Sequence, residues 1–278
     1  MEWFEAIILG LIQGLTEFLP VSSSGHLEIG KVLLGVETTD DLLFTTMVHA
    51  ATVLSTIVVF RSQIWDLLKG FFGGLKDLKI ADRKLVCNDQ TDYLLKMVVS
   101  MVPIFVVGVF FKDFVEGLFG SITVVGVALT VTALLLFFSD MASKPRKNVK
   151  ENTYRNGISY WQAFVVGLGQ AFAVVPGLSR SGTTISTGLI CGVRREVMAQ
   201  FSFLMVLVPI LGETFLEIVG GEFGASAVGV LPLLLGFLSA FLSGLFACKV
   251  MVALVKKARL SWFALYCLVA AAAIFIFA

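Results

Sequence analysis

The chain has 278 residues, of which 57% are apolar and only 15% charged, and its mean hydropathy is +0.92. A soluble domain of this size carries about a quarter charged residues, so the composition excludes an ordinary soluble enzyme and defines a membrane protein. The net charge of +1 says nothing about partners, and no nucleic-acid partner is expected.

The N-terminus lacks the basic region of a cleavable signal. Glu2 and Glu5 stand where Lys or Arg would be needed, so the first residues are expected in the mature protein. Residues 1–43 hold an apolar stretch broken by a polar cluster from Pro20 to Gly25. Three spans follow at roughly 44–60, 93–111 and 120–139, each near the ~20 residues a helix needs to cross a bilayer. Residues 161–200 again hold an apolar stretch, broken from Pro176 to Gly182. Three more spans are expected at roughly 201–219, 227–247 and 261–278.

The intervening loops differ in charge. The 61–92 loop carries Arg61, Lys69, Lys76, Lys79, Arg83 and Lys84 and reads as a solvated linker. The 140–160 loop carries Lys144, Arg146, Lys147, Lys150 and Arg155, and the 248–260 loop carries Lys249, Lys256, Lys257 and Arg259. By contrast, 112–119 has only Lys112, and 220–226 has no Lys or Arg. Basic loops stay in the cytoplasm, which places the first three inside without conflict. Residues 1–43 then begin and end outside, and 161–200 begin and end inside. Both read as re-entrant hairpins, which membranes tolerate where protein or a wet cavity covers the irregular backbone.

A shift of 157 positions aligns the two hairpins. Ala6, Gly10, Gln13, Ser22, Ser24, Gly25, Gly35 and Val36 fall on identical residues at Ala163, Gly167, Gln170, Ser179, Ser181, Gly182, Gly192 and Val193. The expected fold is an all-α polytopic membrane domain over 1–278. Two repeats, 1–157 and 158–278, each contain one re-entrant hairpin and three spans. An odd number of crossings inverts the second copy, and inverted repeats with broken helices place binding sites at the repeat interface.

The polar residues of both hairpins suit phosphate. Gln13 and Glu17 share a helical face. After Pro20 come Ser22, Ser23, Ser24, Gly25 and His26, and the second hairpin offers Gly177, Ser179, Arg180, Ser181, Gly182 and Thr184. A helix N-terminus offers free N–H groups to an anion, glycine lets the backbone approach, and Arg matches phosphate oxygens with a fork of donors. Glu17 beside a phosphate calls for a divalent cation, Mg²⁺ or Ca²⁺. A hydroxyl with a nearby His suggests an activated nucleophile.

Plainer roles compete for several of these residues. Gly10, Gly14 and Gly167 read as helix-packing residues, and Ser22, Ser24 and Ser181 could be N-caps. Glu17 could be a buried partner of Arg180, and His49 a hydrogen-bond partner between helices. Glu213 and Glu217 read as a solvated or cavity-lining face. Cys87, Cys191, Cys248 and Cys267 match no metal or redox spacing. Ionisable residues inside membrane segments are functional by default, which favours Glu17, His26 and Arg180.

At both hairpins the sequence resembles the bacterial undecaprenyl-pyrophosphate phosphatase family, known also for bacitracin resistance. The family is marked by (E/Q)-x-x-x-E followed by F-L-P-V-S-S-[ST]-G-H, and by P-G-x-S-R-S-x-x-T. These stand here as Gln13 to Glu17, Phe18 to His26, and Pro176 to Thr184. The resemblance implies an enzyme of the bacterial inner membrane that frees phosphate from a lipid pyrophosphate at the external, periplasmic face, with Mg²⁺ or Ca²⁺. It implies that Glu17 and Gln13 serve the metal, Arg180 clamps the phosphates, and Ser23 and His26 carry out the transfer. Gln13, an amide, is a poorer cation ligand than a carboxylate. The repeat architecture also suits a transporter or flippase for a phosphorylated polyprenyl lipid, and small residues on the spans permit a homodimer.

Overall fold

A computed structural model of the chain describes residues 1–36, 42–74, 79–81, 84–86, 88–118, 121–142, 154–212, 228–257 and 259–277. The first hairpin is α1 (Trp3–Thr16) and α2 (Ser23–Leu34), followed by α3 (Leu42–Val59) and α4 (Arg61–Gly74). Strands β1 (Lys79–Ala81) and β2 (Lys84–Val86) form a small antiparallel ribbon. Helices α5 (Asp89–Phe110), α6 (Lys112–Glu116) and α7 (Ile122–Ala142) complete the first half. The second hairpin is α8 (Tyr160–Phe172) and α9 (Arg180–Ile190). Then come α10 (Arg195–Met205), α11 (Val230–Lys257) and α12 (Ser261–Phe277).

Among the described residues, four helical stretches are long and apolar enough to cross a membrane: Asp89–Phe110, Ile122–Ala142, Arg195–Gly212 and Val230–Leu254. Leu43–Val59 and Arg61–Gly74 make a fifth only taken together, as a pair bent by 76°. The protein is therefore an all-α, multi-pass membrane protein apart from the short ribbon. The expected span at 201–219 begins earlier, at Arg195. The span expected at 227–247 runs on to Lys257. Helix α12 has 17 residues, or about 25 Å at 1.5 Å per residue.

The 61–92 segment is not the plain linker its charges suggested. Helix α4 occupies its first half, with Ile64 and Leu67 packed on the main core and Trp65, Leu68 and Phe72 exposed. Lys69 Nζ lies 5.2 Å from the Trp65 ring centre. A short helix with apolar residues on both its packed and its open sides, bent from a spanning helix, has the character of an interfacial element. Lys76, Arg83, Cys87, Lys144, Arg146, Lys147, Lys150, Glu213, Glu217 and the 220–226 loop lie outside the described residues.

The two hairpins share their helix starts, caps and terminal glycines at the 157-residue offset, although the backbone at the second caps differs, with Ser22 at φ 71° and Ser179 at φ −68°. Capping boxes start both: Glu2 with Glu5 on α1, and Ser159 with Gln162 on α8. Each satisfies orphan N–H groups of the first turn. The second arms start at Ser23 and Arg180, capped by Ser22 and Ser179, whose hydroxyls accept from the N–H groups of Gly25 and Gly182. Both arms end at a left-handed glycine, Gly35 (φ 69°) and Gly192 (φ 83°). The N–H groups of Val36 and Val193 reach back to the Lys31 and Gly188 carbonyls, the Schellman arrangement.

Each hairpin packs on a helix of the other half. Helix α1 lies along α11, and α8 lies along α5. The approach is close because small residues meet. A Cβ at Gly10 would lie 2.4 Å from the Gly236 carbonyl oxygen, one at Gly14 would lie 2.0 Å from Ser243 Oγ, and one at Gly167 would lie 2.3 Å from the Ser100 carbonyl oxygen. Gly10, Gly14 and Gly167 thus have the packing role expected of them. Gly14→Ala should cost about 1–3 kcal/mol through overpacking, read as a lower midpoint of thermal unfolding in detergent. Gly73→Ala, which meets open space on α4, is the control and should not lower it.

Candidate active site

The chain turns at Pro20 and Pro176 bring the N-termini of α2 and α9 beside the C-terminus of α1. Ser22 is held at φ 71°, a left-handed value that a residue with a Cβ rarely adopts. Gly177 has φ 89°, and a Cβ there would lie 2.7 Å from Val125 Cα. Glycine is required at that turn for both reasons. The two turns touch directly: the Gly177 N–H donates to Ser24 Oγ at 3.4 Å, and Ser181 Oγ donates to the Leu19 carbonyl at 3.1 Å.

Glu17 is the hub. Its side chain is 7% exposed. One carboxylate oxygen accepts from Arg180 Nη2. The other accepts from Ser23 Oγ at 2.6 Å and from Gln13 Nε2 at 2.8 Å. His49 Nε2 of α3 stands 3.9 Å from the same oxygen. A buried carboxylate is tolerated only when it is paired and hydrogen-bonded, and these donors meet that demand. The pairing of Glu17 with Arg180, the plainer alternative from sequence, is present. It joins the two hairpins at the point where their polar motifs converge.

The structure brings Gln13, Glu17, Ser23 and Arg180 together. It does not join Ser23 to His26. Ser23 gives its hydroxyl proton to Glu17. His26 Nδ1 lies 2.7 Å from the Ser22 carbonyl, and its Nε2 lies 2.7 Å from Tyr266 Oη. The remaining motif hydroxyls brace the hairpins. Ser22 and Ser179 are caps, and the Ser179 N–H donates to Thr132 Oγ1 of α7 at 3.0 Å. Thr184 Oγ1 lies 2.6 Å from Ser202 Oγ of α10. Ser22, Ser179, Ser181, Gly182 and Thr184 are buried, whereas Ser24 is half-buried.

Sequence reasoning left His49 outside the site and did not consider Tyr266. The signal for His49 was its mid-span position, since ionisable groups there are functional by default. Tyr266 carried no such signal among the aromatics of α12.

A pocket lined by Glu17, Thr52, Thr56, Arg180, Ser202 and Phe203, among others, adjoins the hub and offers about 20 Å³. That is room for a single water. A second, larger cavity of about 670 Å³ is apolar. It lies between α7, α8 and α9, lined by residues such as Val127, Val131, Leu168, Phe172, Val175 and Leu178. Leu178 directly follows Gly177, so the apolar cavity begins where the two turns meet.

For a divalent cation, the described residues offer no cluster of three His, Cys, Asp or Glu. They offer the Glu17 carboxylate and Gln13 Oε1, which is buried without a hydrogen-bond partner. One carboxylate and one orphaned amide oxygen fit a cation that takes the rest of its shell from phosphate and water, as Mg²⁺ commonly does.

The fold and site together define a class: a multi-pass membrane protein with a carboxylate, a serine and an arginine assembled from two broken hairpins. Residues 6–273 match the model of the family described as bacitracin resistance protein BacA. An undecaprenyl-diphosphatase of Bacteroides thetaiotaomicron is 50% identical over 280 residues, covering 99% of both chains. Another from Parabacteroides distasonis is 50% identical, covering 97% of this chain and 96% of the relative. One from Carboxydothermus hydrogenoformans is 37% identical over 96% of this chain and 94% of the relative. The chain belongs to the bacitracin resistance protein BacA family.

Proposed function

We propose that the protein is a polyprenyl-diphosphate phosphatase of the bacterial inner membrane. It hydrolyses undecaprenyl pyrophosphate to undecaprenyl phosphate and inorganic phosphate, with its site open to the external face, and so returns the lipid carrier to cell-wall synthesis. The observation that carries this reading is the Glu17 hub: Ser23 and Arg180 meet on one buried carboxylate. Relatives named for this activity cover nearly the whole chain.

The pyrophosphate enters where the hairpins meet, and its tail lies in the apolar cavity beside Leu178. Arg180 leaves Glu17 for the phosphate oxygens, since a fork of donors suits phosphate at least as well as a single carboxylate. Ser23 Oγ attacks the terminal phosphorus as its proton passes to Glu17. The bond from that phosphorus to the bridging oxygen breaks, and the lipid monophosphate leaves. Water then attacks the phosphoserine and releases phosphate. Charge neutralisation and positioning supply most of the rate in phosphoryl transfer. Glu17 and Gln13 would hold a Mg²⁺ or Ca²⁺ ion, whose role is to neutralise phosphate charge.

The basic loops inside and the hairpin repeat at 157 residues support two copies of opposite orientation. That repeat also favours the second reading, a transporter or flippase for a phosphorylated polyprenyl lipid. One assay separates the two. Detergent-purified protein should release phosphate from a prenyl pyrophosphate, and EDTA should abolish the release until Mg²⁺ or Ca²⁺ is restored. Purified, folded protein that binds the lipid and releases no phosphate under any metal would leave the transporter.

A further inference from the structure

His26 is held from two sides by groups with different demands. The Ser22 carbonyl can only accept, so the proton of a neutral ring sits on Nδ1. That carbonyl also accepts from the His26 backbone N–H at 3.2 Å, using both of its lone pairs. Nε2 of the ring is therefore the acceptor, and Tyr266 Oη stands 2.7 Å from it as donor. The two rings also stack, with centres 5.5 Å apart and planes 12° from parallel. Tyr266 lies 240 residues from His26, on the last helix, and is 48% exposed. Its hydroxyl is thus free to yield Nε2 to an incoming oxygen.

Ser23 already has a proton acceptor in Glu17, which leaves His26 without a part in the first step. We propose that Tyr266 is a positioning residue of the phosphoryl-transfer site. The Ser22 carbonyl keeps the ring proton on Nδ1, and Tyr266 holds the orientation of the ring through Nε2 and the stack, so that His26 is the base of the second step. This rests on the phosphatase reading above. In that step the oxygen of water bonds to the phosphorus of phosphoserine, and its proton passes to Nε2. The bond from phosphorus to Ser23 Oγ breaks, and Ser23 takes its proton back from Glu17. Tyr266 touches neither the phosphorus nor the Ser23 oxygen; its hydroxyl holds Nε2 until water takes its place, and it acts through the ring it positions.

The chain has two histidines, which makes a direct test practical. Full-length protein labelled with ¹⁵N-histidine in detergent gives two imidazole sets, and His49→Gln assigns the one from His26. The expected wild-type spectrum is a neutral ring protonated on Nδ1. Tyr266→Phe, which keeps the stacked ring and removes the hydroxyl, should shift the Nε2 resonance toward that of a nitrogen without a donor, the proton staying on Nδ1. It should also lower kcat for phosphate release by about tenfold with KM within about twofold, less than loss of a catalytic base, about 10²–10⁴-fold. Tyr266→Leu should lower kcat further. A wild-type ring protonated on Nε2 overturns the proposal, as does a Tyr266→Phe protein with an unchanged His26 signal or unchanged kcat. If wild-type protein releases no phosphate, the phosphatase reading fails, while the imidazole spectrum still decides whether Tyr266 holds Nε2 of His26.

Discussion

Arg180→Ala should lower phosphate release from a prenyl pyrophosphate by roughly 10³-fold, mostly in kcat. The magnitude follows from what a donor aimed at developing phosphoryl charge supplies in a water-poor site, about 10²–10⁵-fold. Two costs combine. The transferring group loses its clamp, and Glu17 loses the partner that balances its buried charge. Arg180→Lys should restore only part of the rate, because a point charge replaces the planar fork. A Lys variant with full activity would show that charge alone is needed and would remove the argument from fork geometry.

Glu17→Gln should also lower kcat by roughly 10³-fold, within the range for a lost general base. The amide keeps the shape and can still hydrogen-bond Ser23, but it cannot take the serine proton. It also leaves the Arg180 charge unpaired. Because the Arg180 side chain is 25% exposed, the stability cost should be modest, about 1–3 kcal/mol. The double variant Glu17→Gln with Arg180→Gln removes both charges. It should recover thermal stability in detergent while remaining inactive. A double variant that regained phosphate release would reduce the pair to a structural brace.

The hairpins were legible in the sequence because they break the rules of their surroundings. Pro, Gly and Ser clusters and ionised side chains inside apolar segments leave few structural options, so Glu17, Ser23 and Arg180 announced themselves. The repeat was legible for the same reason, down to the residue offset of the caps and terminal glycines. What remained hidden depended on contacts between distant segments. His49 and Tyr266 sit on ordinary apolar helices, and their roles arise only from which helix packs beside α1 or α2. Helix α4 was hidden because Arg61, Asp66 and Lys69 gave it the look of a loop.

The pairing of Ser23 with His26 shows how spacing misleads. Three residues apart on a helix, the two lie on neighbouring faces. Ser22, held at its unusual φ, presents a carbonyl that claims the near nitrogen of the ring. Glu17, from the preceding helix, claims the serine. Local spacing brought the two residues near each other, and the partners from outside the motif decided what each of them does.

The exchange of packing partners between the halves bears on how the protein is made. The ribosome completes α1 more than 200 residues before it reaches α11, the helix with the Gly236, Ser239 and Gly244 notches that α1 fits. Until then the first hairpin has no groove of its own, and until the second hairpin is made its Glu17 has no Arg180. The nascent chain must therefore hold a charged, half-assembled hairpin beside the insertion machinery until the second half arrives. The Glu17 carboxylate precedes the Arg180 that balances its charge by about 160 residues of chain.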